Sequence, residues 1–331
     1  MIVGRGLHRP PTGGPGCTRA SFPAGALVAT ASVAALATAA LAYRQRLLRN
    51  VSWVAPQGRH VETSTLTARV LGDTGSPVLL LHGLVASGLY WGGAYDALAD
   101  HHRLVVPDLL GFGRSPRPAS GYGPDDHAGT VIACLDDLGV VEPVTIGAHS
   151  LGGLVALRLA VTHPERVARV VAFGPPLYPD AASARGHVTA TSPMARLFVL
   201  PGPVAEHVCT WMCAHRTAGA RLAQVSHPGL PPAVAADAVQ HSWSSYSQTL
   251  ERVILTADAN TWIDHIRCPV HLVAGLDDPV VDHAHLRHVS ASHGNVSYDE
   301  RPGRHDLPLT EASRCAGLIG RAARTGALVL A

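Results

Sequence analysis

From residue 78 to residue 176 the chain alternates short, mostly apolar runs with longer stretches of helical period. The runs are "VLLLHG" (78–83), "HRLVVPDLLGFGRS" (102–115), "EPVTIGAHS" (142–150) and "ERVARVVAFGPP" (165–176), each broken by small or turn residues. A run without polar alternation predicts a strand buried on both faces, the pattern of a parallel sheet. Between them, "WGGAYDALAD", "GPDDHAGTVIACLDDLGV" and "LGGLVALRLAVTHP" predict helices. Asp125 and Asp126 fall in the first turn of the second, where carboxylates suit the helix dipole. Upstream, "HVETSTLTARVLG" (60–72) alternates only in part and predicts one edge strand. From 175 to 262 the rhythm breaks. Prolines separate helical segments such as "MARLFVLPGPVAEHVCTWMCAHR" and "AVAADAVQHSWSSYSQTLERVIL", with no buried strand between them. Strands return at "CPVHLVAGLDDP" (268–279) and "HGNVSYDERPGRHD" (293–306), before a last helix from about 311. The expected fold class is α/β, a mostly parallel, doubly wound sheet. Its core covers 60–174 and 263–327, a helical cap over 175–262 is inserted before the last two strands, and 1–50 form an N-terminal extension.

Composition narrows the partners. Hydrophobic residues make up 47% of the 331 positions and the formal net charge is +2, with no basic block, which excludes a nucleic-acid surface. Six cysteines, at 17, 134, 209, 213, 268 and 315, match no disulfide framework. Cys209 and Cys213 are four apart and share a helix face. Buried or free thiols are expected there, the alternatives being a disulfide or a metal pair. His283, His285 and His288 cluster without a Cys or carboxylate at a recognised spacing, so neither metal nor cofactor is expected.

The N-terminus raises a separate possibility. Residues 20–43 carry no charge, a length that spans a bilayer as a helix. Ten of the residues from 24 to 42 are alanine, which weakens that reading. Arg5, Arg9 and Arg19 on one side balance Arg44, Arg46 and Arg49 on the other, so no orientation follows. The leading expectation is a membrane anchor. The alternatives are a signal cleaved after Ala42 and a weakly structured extension of a soluble chain.

The chemistry centres on "GAHSLGG" (147–153), where an apolar run passes into a helical one. A serine hydroxyl is a poor nucleophile and needs an adjacent base, itself oriented by a third group. A sharp strand-to-helix turn exposes the hydroxyl and aims a helix N-terminus at a developing oxyanion. Such a turn requires small neighbours, supplied by Ala148, Gly152 and Gly153. Asp278 and His305 each follow a predicted strand, so all three residues fall at the carboxyl edge of one sheet. Their order, serine then aspartate then histidine, is that of the nucleophile-elbow template. Taken singly, Ser150 reads as a helix N-cap, Asp278 as a cap of the next helix, and His305 as a polar loop residue. Asp277 rivals Asp278, but the spacing from Gly275 and the proline that follows favour Asp278. His82 reads as a turn residue, His149 as core or pocket wall, and Asp108 and Ser115 as shaping their loop.

Five segments in this order, "LLLHG" (79–83), "PDLLGFGRS" (107–115), "AHSLGG" (148–153), "AGLDDPVV" (274–281) and "GRHDLP" (303–308), resemble the α/β-hydrolase superfamily, in particular its capped serine hydrolases. The resemblance spans roughly residues 60–325. It implies an acyl-enzyme on Ser150, with His305 as base and Asp278 orienting it. It also implies an oxyanion hole of the Leu84 and Leu151 backbone N–H groups. Two departures stand out: Ala148 where glycine is usual, and Arg304 before the histidine where many relatives carry glycine. Serine rather than aspartate at the elbow favours hydrolysis of a carboxylic ester, thioester or lactone. The alternatives are carbon–carbon bond hydrolysis or cofactor-free perhydrolysis, or a membrane-tethered binding protein without turnover. The expected partner is a small ester with an apolar acyl part, for which Trp211, Met212, Trp243 and Tyr246, beside His149, are candidate pocket residues.

Deleting residues 1–50 is expected to leave a soluble protein with unchanged kcat/KM on a short-chain ester. The full-length chain is expected to sediment with membranes and to be released by detergent but not by salt. Full-length protein that is soluble without detergent and retains residue 1 by mass spectrometry would exclude both anchor and cleaved signal.

Overall fold

The computed structural model describes residues 1, 53–199, 202–227 and 229–324. The expected extension over 1–50, with its span at 20–43, lies outside the described residues apart from Met1. No helix among the described residues is long and apolar enough to cross a membrane.

Eight strands form one sheet: β1 (Arg59–Glu62), β2 (Thr67–Leu71), β3 (Pro77–Leu81), β4 (Arg103–Pro107), β5 (Val144–His149), β6 (Val167–Phe173), β7 (Val270–Gly275) and β8 (Val296–Arg301). Their order is β1-β2-β4-β3-β5-β6-β7-β8. From β4 to β8 every pair is parallel, whereas β1–β2 and β2–β4 are antiparallel. The segment 60–72, expected as one edge strand, folds back on itself into two. Thr63 Oγ1 donates to the Leu66 carbonyl at 2.7 Å, and Thr63 N–H bonds the same oxygen at 2.9 Å, which closes the hairpin.

Period-two alternation sorts the apolar runs onto two faces. Leu79, Leu81, Val105, Ile146, Ala148, Val170, Ala172 and Leu272 join one core with helices 124–137 and 151–162. Val78, Leu80, Leu104, Val106, Val171, Phe173 and Val273 join the other, under residues 88–100 and helix 312–324. This is why the runs carry no polar alternation: both faces are covered, and each fully buried Leu or Val contributes about 1.5–3 kcal/mol. Gly147 permits the close cover, because a Cβ there would sit 2.4 Å from Ile319 Cδ1.

Between β6 and β7 the described residues are helical, at 181–191, 193–199, 203–214, 216–226, 232–237, 243–249 and 259–265, with a π-helical turn at 250–255. An isolated bridge pairs His241 with Phe112 in the loop after β4. At the other end, ordered packing begins before residue 60. Gly93 N–H bonds the Val54 carbonyl at 2.7 Å, and Gln57 N–H bonds Asp96 Oδ2 at 2.7 Å. Asp96 Oδ1 also takes the buried guanidinium of Arg69, at 2.7 Å. Burial, partly offset by Asp96, lowers the pKa of Arg69.

Asp96→Ala would strand that cation in the protein. Urea denaturation is expected to show a loss of about 3–5 kcal/mol, the usual penalty for removing one partner of a buried pair.

Candidate active site

β5 runs to His149, and the helix starts at Leu151. The single residue between them, Ser150, has φ 52° and ψ −120°. A non-glycine residue in that region is strained and persists only where its surroundings hold it. Its N–H bonds the Phe173 carbonyl at the end of β6, at 2.9 Å, and its own carbonyl accepts from Gly153 N–H at 2.8 Å. The helix lies against the end of β3: a Cβ on Gly152 would be 2.5 Å from the Leu81 carbonyl oxygen and 2.7 Å from that of His82. Ala148 is fully buried between Leu81 and Ala172 in the ladder.

His305 lies four residues beyond β8, and its Nε2 is 3.0 Å from Ser150 Oγ. Its Nδ1 is 2.8 Å from Asp278 Oδ2. Asp278 is buried whereas Asp277 is exposed, so only Asp278 meets the histidine. The second oxygen of Asp278 accepts from Val280 N–H at 2.9 Å, which fixes the carboxylate plane. The two loops are tied by their backbones. Leu276 N–H bonds the Arg301 carbonyl at 2.7 Å, and Asp277 N–H bonds that of Gly303 at 2.9 Å. Gly275 allows this approach, since a Cβ there would lie 2.5 Å from Gly303 O. Arg304 is exposed.

The turn after β3 adjoins the serine. A Cβ on Gly83 would be 3.2 Å from Ser150 Cβ. The N–H groups of Leu84 and Leu151 have no acceptor among the described residues. Leu151 is the first residue of its helix, where N–H groups lack intrahelical partners. His82 is wholly buried and pins this turn to the one after β4. Its Nε2 accepts from Leu109 N–H at 2.8 Å, and its Nδ1–H donates to the Gly83 carbonyl at 2.8 Å. Burial lowers its pKa and favours this neutral tautomer. Asp108 and Ser115 shape the second turn, through Asp108 bonds to Gly88 N–H and Arg114 N–H and a Ser115 Oγ bond to the Asp108 carbonyl.

His149 packs against the site from the sheet side. Its ring stacks on Tyr90 at 4.6 Å and lies 4.8 Å from the His305 ring. Its Nε2 is 2.9 Å from the His305 carbonyl oxygen. Burial, reinforced by repulsion from His305, holds its pKa well below the ordinary imidazole value. Among the other candidate pocket residues, Trp243 and Tyr246 gather with Phe198 in one aromatic group, with centroids 5.2–6.5 Å apart. Met212 is buried. Trp211 is 42% exposed and stacks on His215, outside that group.

Two neighbours escaped the sequence reading. Gly174, just past β6, has φ 56°, and a Cβ there would sit 3.0 Å from both Asp278 Oδ2 and His305 Nδ1. The one available signal was a glycine closing a buried run before two prolines. Tyr90, in a short 3-10 turn, gave no signal because its role depends on stacking with a residue 59 positions away.

Gly152→Ala is expected to cost about 1–3 kcal/mol in chemical denaturation, because rigid backbone oxygens cannot yield. Gly129→Ala, exposed in helix 124–137 with nothing near its Cβ, is expected to gain up to about 1 kcal/mol.

The comparisons agree with this architecture. A family profile described as the alpha/beta hydrolase fold matches residues 76–197. The chain is 39% identical over 113 residues to 2-hydroxymuconate semialdehyde hydrolase of Pseudomonas sp. (strain CF600), covering 31% of this chain and 38% of that protein. It is 28% identical over 253 residues to a protein named as a carbamate hydrolase of Variovorax paradoxus (strain S110), covering 72% and 88%. Curated relatives at 37% identity are also matched over only 38% of their length. The solved esterase RhEst1 from Rhodococcus sp. ECU1013 superposes with TM-score 0.62 at 24% identity, covering 81% of this chain and 99% of that one, a likeness of fold. With its eight-stranded sheet and a serine elbow after β5, the chain has the α/β-hydrolase fold.

Proposed function

We propose that this chain is a serine hydrolase that cleaves a carboxylic ester through an acyl-enzyme on Ser150. The observation that carries the reading is the unbroken relay Ser150 Oγ–His305 Nε2, 3.0 Å, and His305 Nδ1–Asp278 Oδ2, 2.8 Å. Ser150 Oγ attacks the ester carbonyl as His305 Nε2 takes its proton. Asp278 accepts the Nδ1–H bond, which holds the tautomer and stabilises the imidazolium. The free N–H groups of Leu84 and Leu151 donate to the carbonyl oxygen as it becomes an oxyanion. One such donor is worth about 10²–10³ in turnover in enzymes of this kind. His305 then returns the proton to the leaving alcohol, and a water activated by the same nitrogen releases the acid. No cofactor takes part.

The helices of 175–262 serve as the cap over this edge. The Phe198, Trp243 and Tyr246 group, with Met212, supplies the apolar wall for the acyl chain, and Trp211 marks its outer rim. His149, held neutral by burial, backs the triad without competing for its proton. The relative named 2-hydroxymuconate semialdehyde hydrolase acts, by its name, on a compound without an ester. That favours a second reading, hydrolysis of a carbon–carbon bond on the same triad.

A panel of p-nitrophenyl esters of increasing chain length, run beside a vinylogous 1,5-diketone, decides between the two bonds. Turnover of the diketone alone would replace the ester reading. Ser150→Ala is expected to lower ester turnover by about 10⁴–10⁶ with an unchanged circular dichroism spectrum. Asp278→Asn is expected to cost about 10⁴, and the exposed Asp277→Asn less than about tenfold. Near-normal turnover by Ser150→Ala would refute the covalent mechanism.

A further inference from the structure

Away from the triad, three soft donors converge in the helical segment. Cys209 and Cys213 stand one turn apart on the same face of helix 203–214. His241 faces both: its Nε2 is 3.4 Å from Cys209 Sγ and 3.6 Å from Cys213 Sγ. The three donor atoms all lie within 4.8 Å of one another. Nε2 has a single lone pair and accepts from only one of the two thiols, which leaves the other to its neighbouring sulfur. The other ring nitrogen, Nδ1, is buried and has no hydrogen-bond partner among the described residues. A neutral imidazole protonated there turns its lone pair toward the sulfurs, the form that ligates a metal. The two sulfur–nitrogen distances are those of a coordination sphere. With metal–sulfur bonds of about 2.3 Å and metal–nitrogen bonds of about 2.05 Å, a tetrahedral site has sulfur–nitrogen edges of about 3.6 Å. A disulfide fits less well, since the Cα–Cβ bonds of residues on one helix face run side by side rather than toward each other.

We infer that Cys209, Cys213 and His241 form a binding site for one Zn²⁺ ion, as two thiolates and one neutral imidazole with water in the fourth position. The two thiolates balance the charge of the cation, and the protons they carried pass to solvent on binding. Two soft sulfurs with one imidazole select zinc over the hard cations magnesium and calcium. The donors are positioned before any ion arrives. The His241 ring is wedged between Phe112, at 6.2 Å, and Tyr246, at 5.7 Å, and its backbone bridges Phe112. Metal binding would therefore fasten helix 203–214 to the loop after β4. Cys209 is buried while Cys213 and His241 are half-exposed, which leaves the ion a route in.

The test uses the full-length, freshly reduced chain, titrated with Co²⁺ and then with Zn²⁺. The expected result is one Co²⁺ per chain with thiolate charge-transfer absorption in the near ultraviolet, bleached by stoichiometric Zn²⁺. X-ray absorption of the zinc form is expected to show two sulfurs at about 2.3 Å and one imidazole nitrogen at about 2.0 Å. Cys209→Ser, Cys213→Ser and His241→Ala are each expected to weaken Zn²⁺ binding by about 100-fold or more, beyond the 10–100-fold typical of residues that only support a ligand. Ser150→Ala is expected to bind Zn²⁺ unchanged, which separates this site from the hydrolytic reading. Absorption without a thiolate band, a zinc shell without sulfur, or undiminished binding by a folded Cys209→Ser/Cys213→Ser variant would overturn the inference. So would a thiol titration that is two short in the metal-free protein, with peptide mapping to a Cys209–Cys213 disulfide.

Discussion

The site depends on how closely the ends of β3, β5 and β6 approach one another around Ser150. The serine main chain is held there with a positive φ and bonded to Phe173, while Gly152, two residues on, lies against the Leu81 and His82 carbonyls. No room remains for side chains, so the surrounding positions are small: Gly83, Ala148, Gly152 and Gly174. The strain of such a residue, about 1–3 kcal/mol, is met by the burial on either side of the sheet. In return, the hydroxyl stands clear of its own backbone and reaches a histidine 155 residues later in the chain.

Around that wedge lies a layer of buried polar groups whose bonds are mostly local and complete. His82 ties the turn after β3 to the turn after β4, and Asp108 and Ser115 close the second turn on itself. Ser87 extends the layer by donating to Asp237 at 2.5 Å, which reaches into the helical segment between β6 and β7. Each bond adds about 1 kcal/mol net, but leaving one of these buried partners unmatched would cost more than its bond supplies. The layer therefore fixes geometry more than it adds stability. It constrains the turn that brings Gly83 beside the serine.

The helical segment obeys looser rules. Its helices are short, and its aromatic group forms from residues 198, 243 and 246, which no single helix could bring together. Relatives matched by sequence carry names that point to different bonds. Chemistry on such a fold resides in the groups set at the strand ends, and selectivity in what covers them.

The strand–helix rhythm, the serine elbow and the order Ser150, Asp278, His305 were legible in the sequence, because burial on both faces and sharp turns impose composition locally. Residues 78–81 are apolar throughout, and 144–149 at all but Thr145 and His149, since each side chain meets a covering layer whichever way it points. The tertiary structure decided what rests on distant pairs. It supplied the physical difference between Asp278 and Asp277, which spacing had only ranked, by burying one and exposing the other. It split 60–72 into two strands, because the Thr63 hydroxyl offered a turn that partial alternation did not reveal. It showed residues 53–57, upstream of the first expected strand, bonded to residues 89–96. And it brought His241 to Cys209 and Cys213, a proximity set by the bridge to Phe112 and by ring packing rather than by any spacing along the chain.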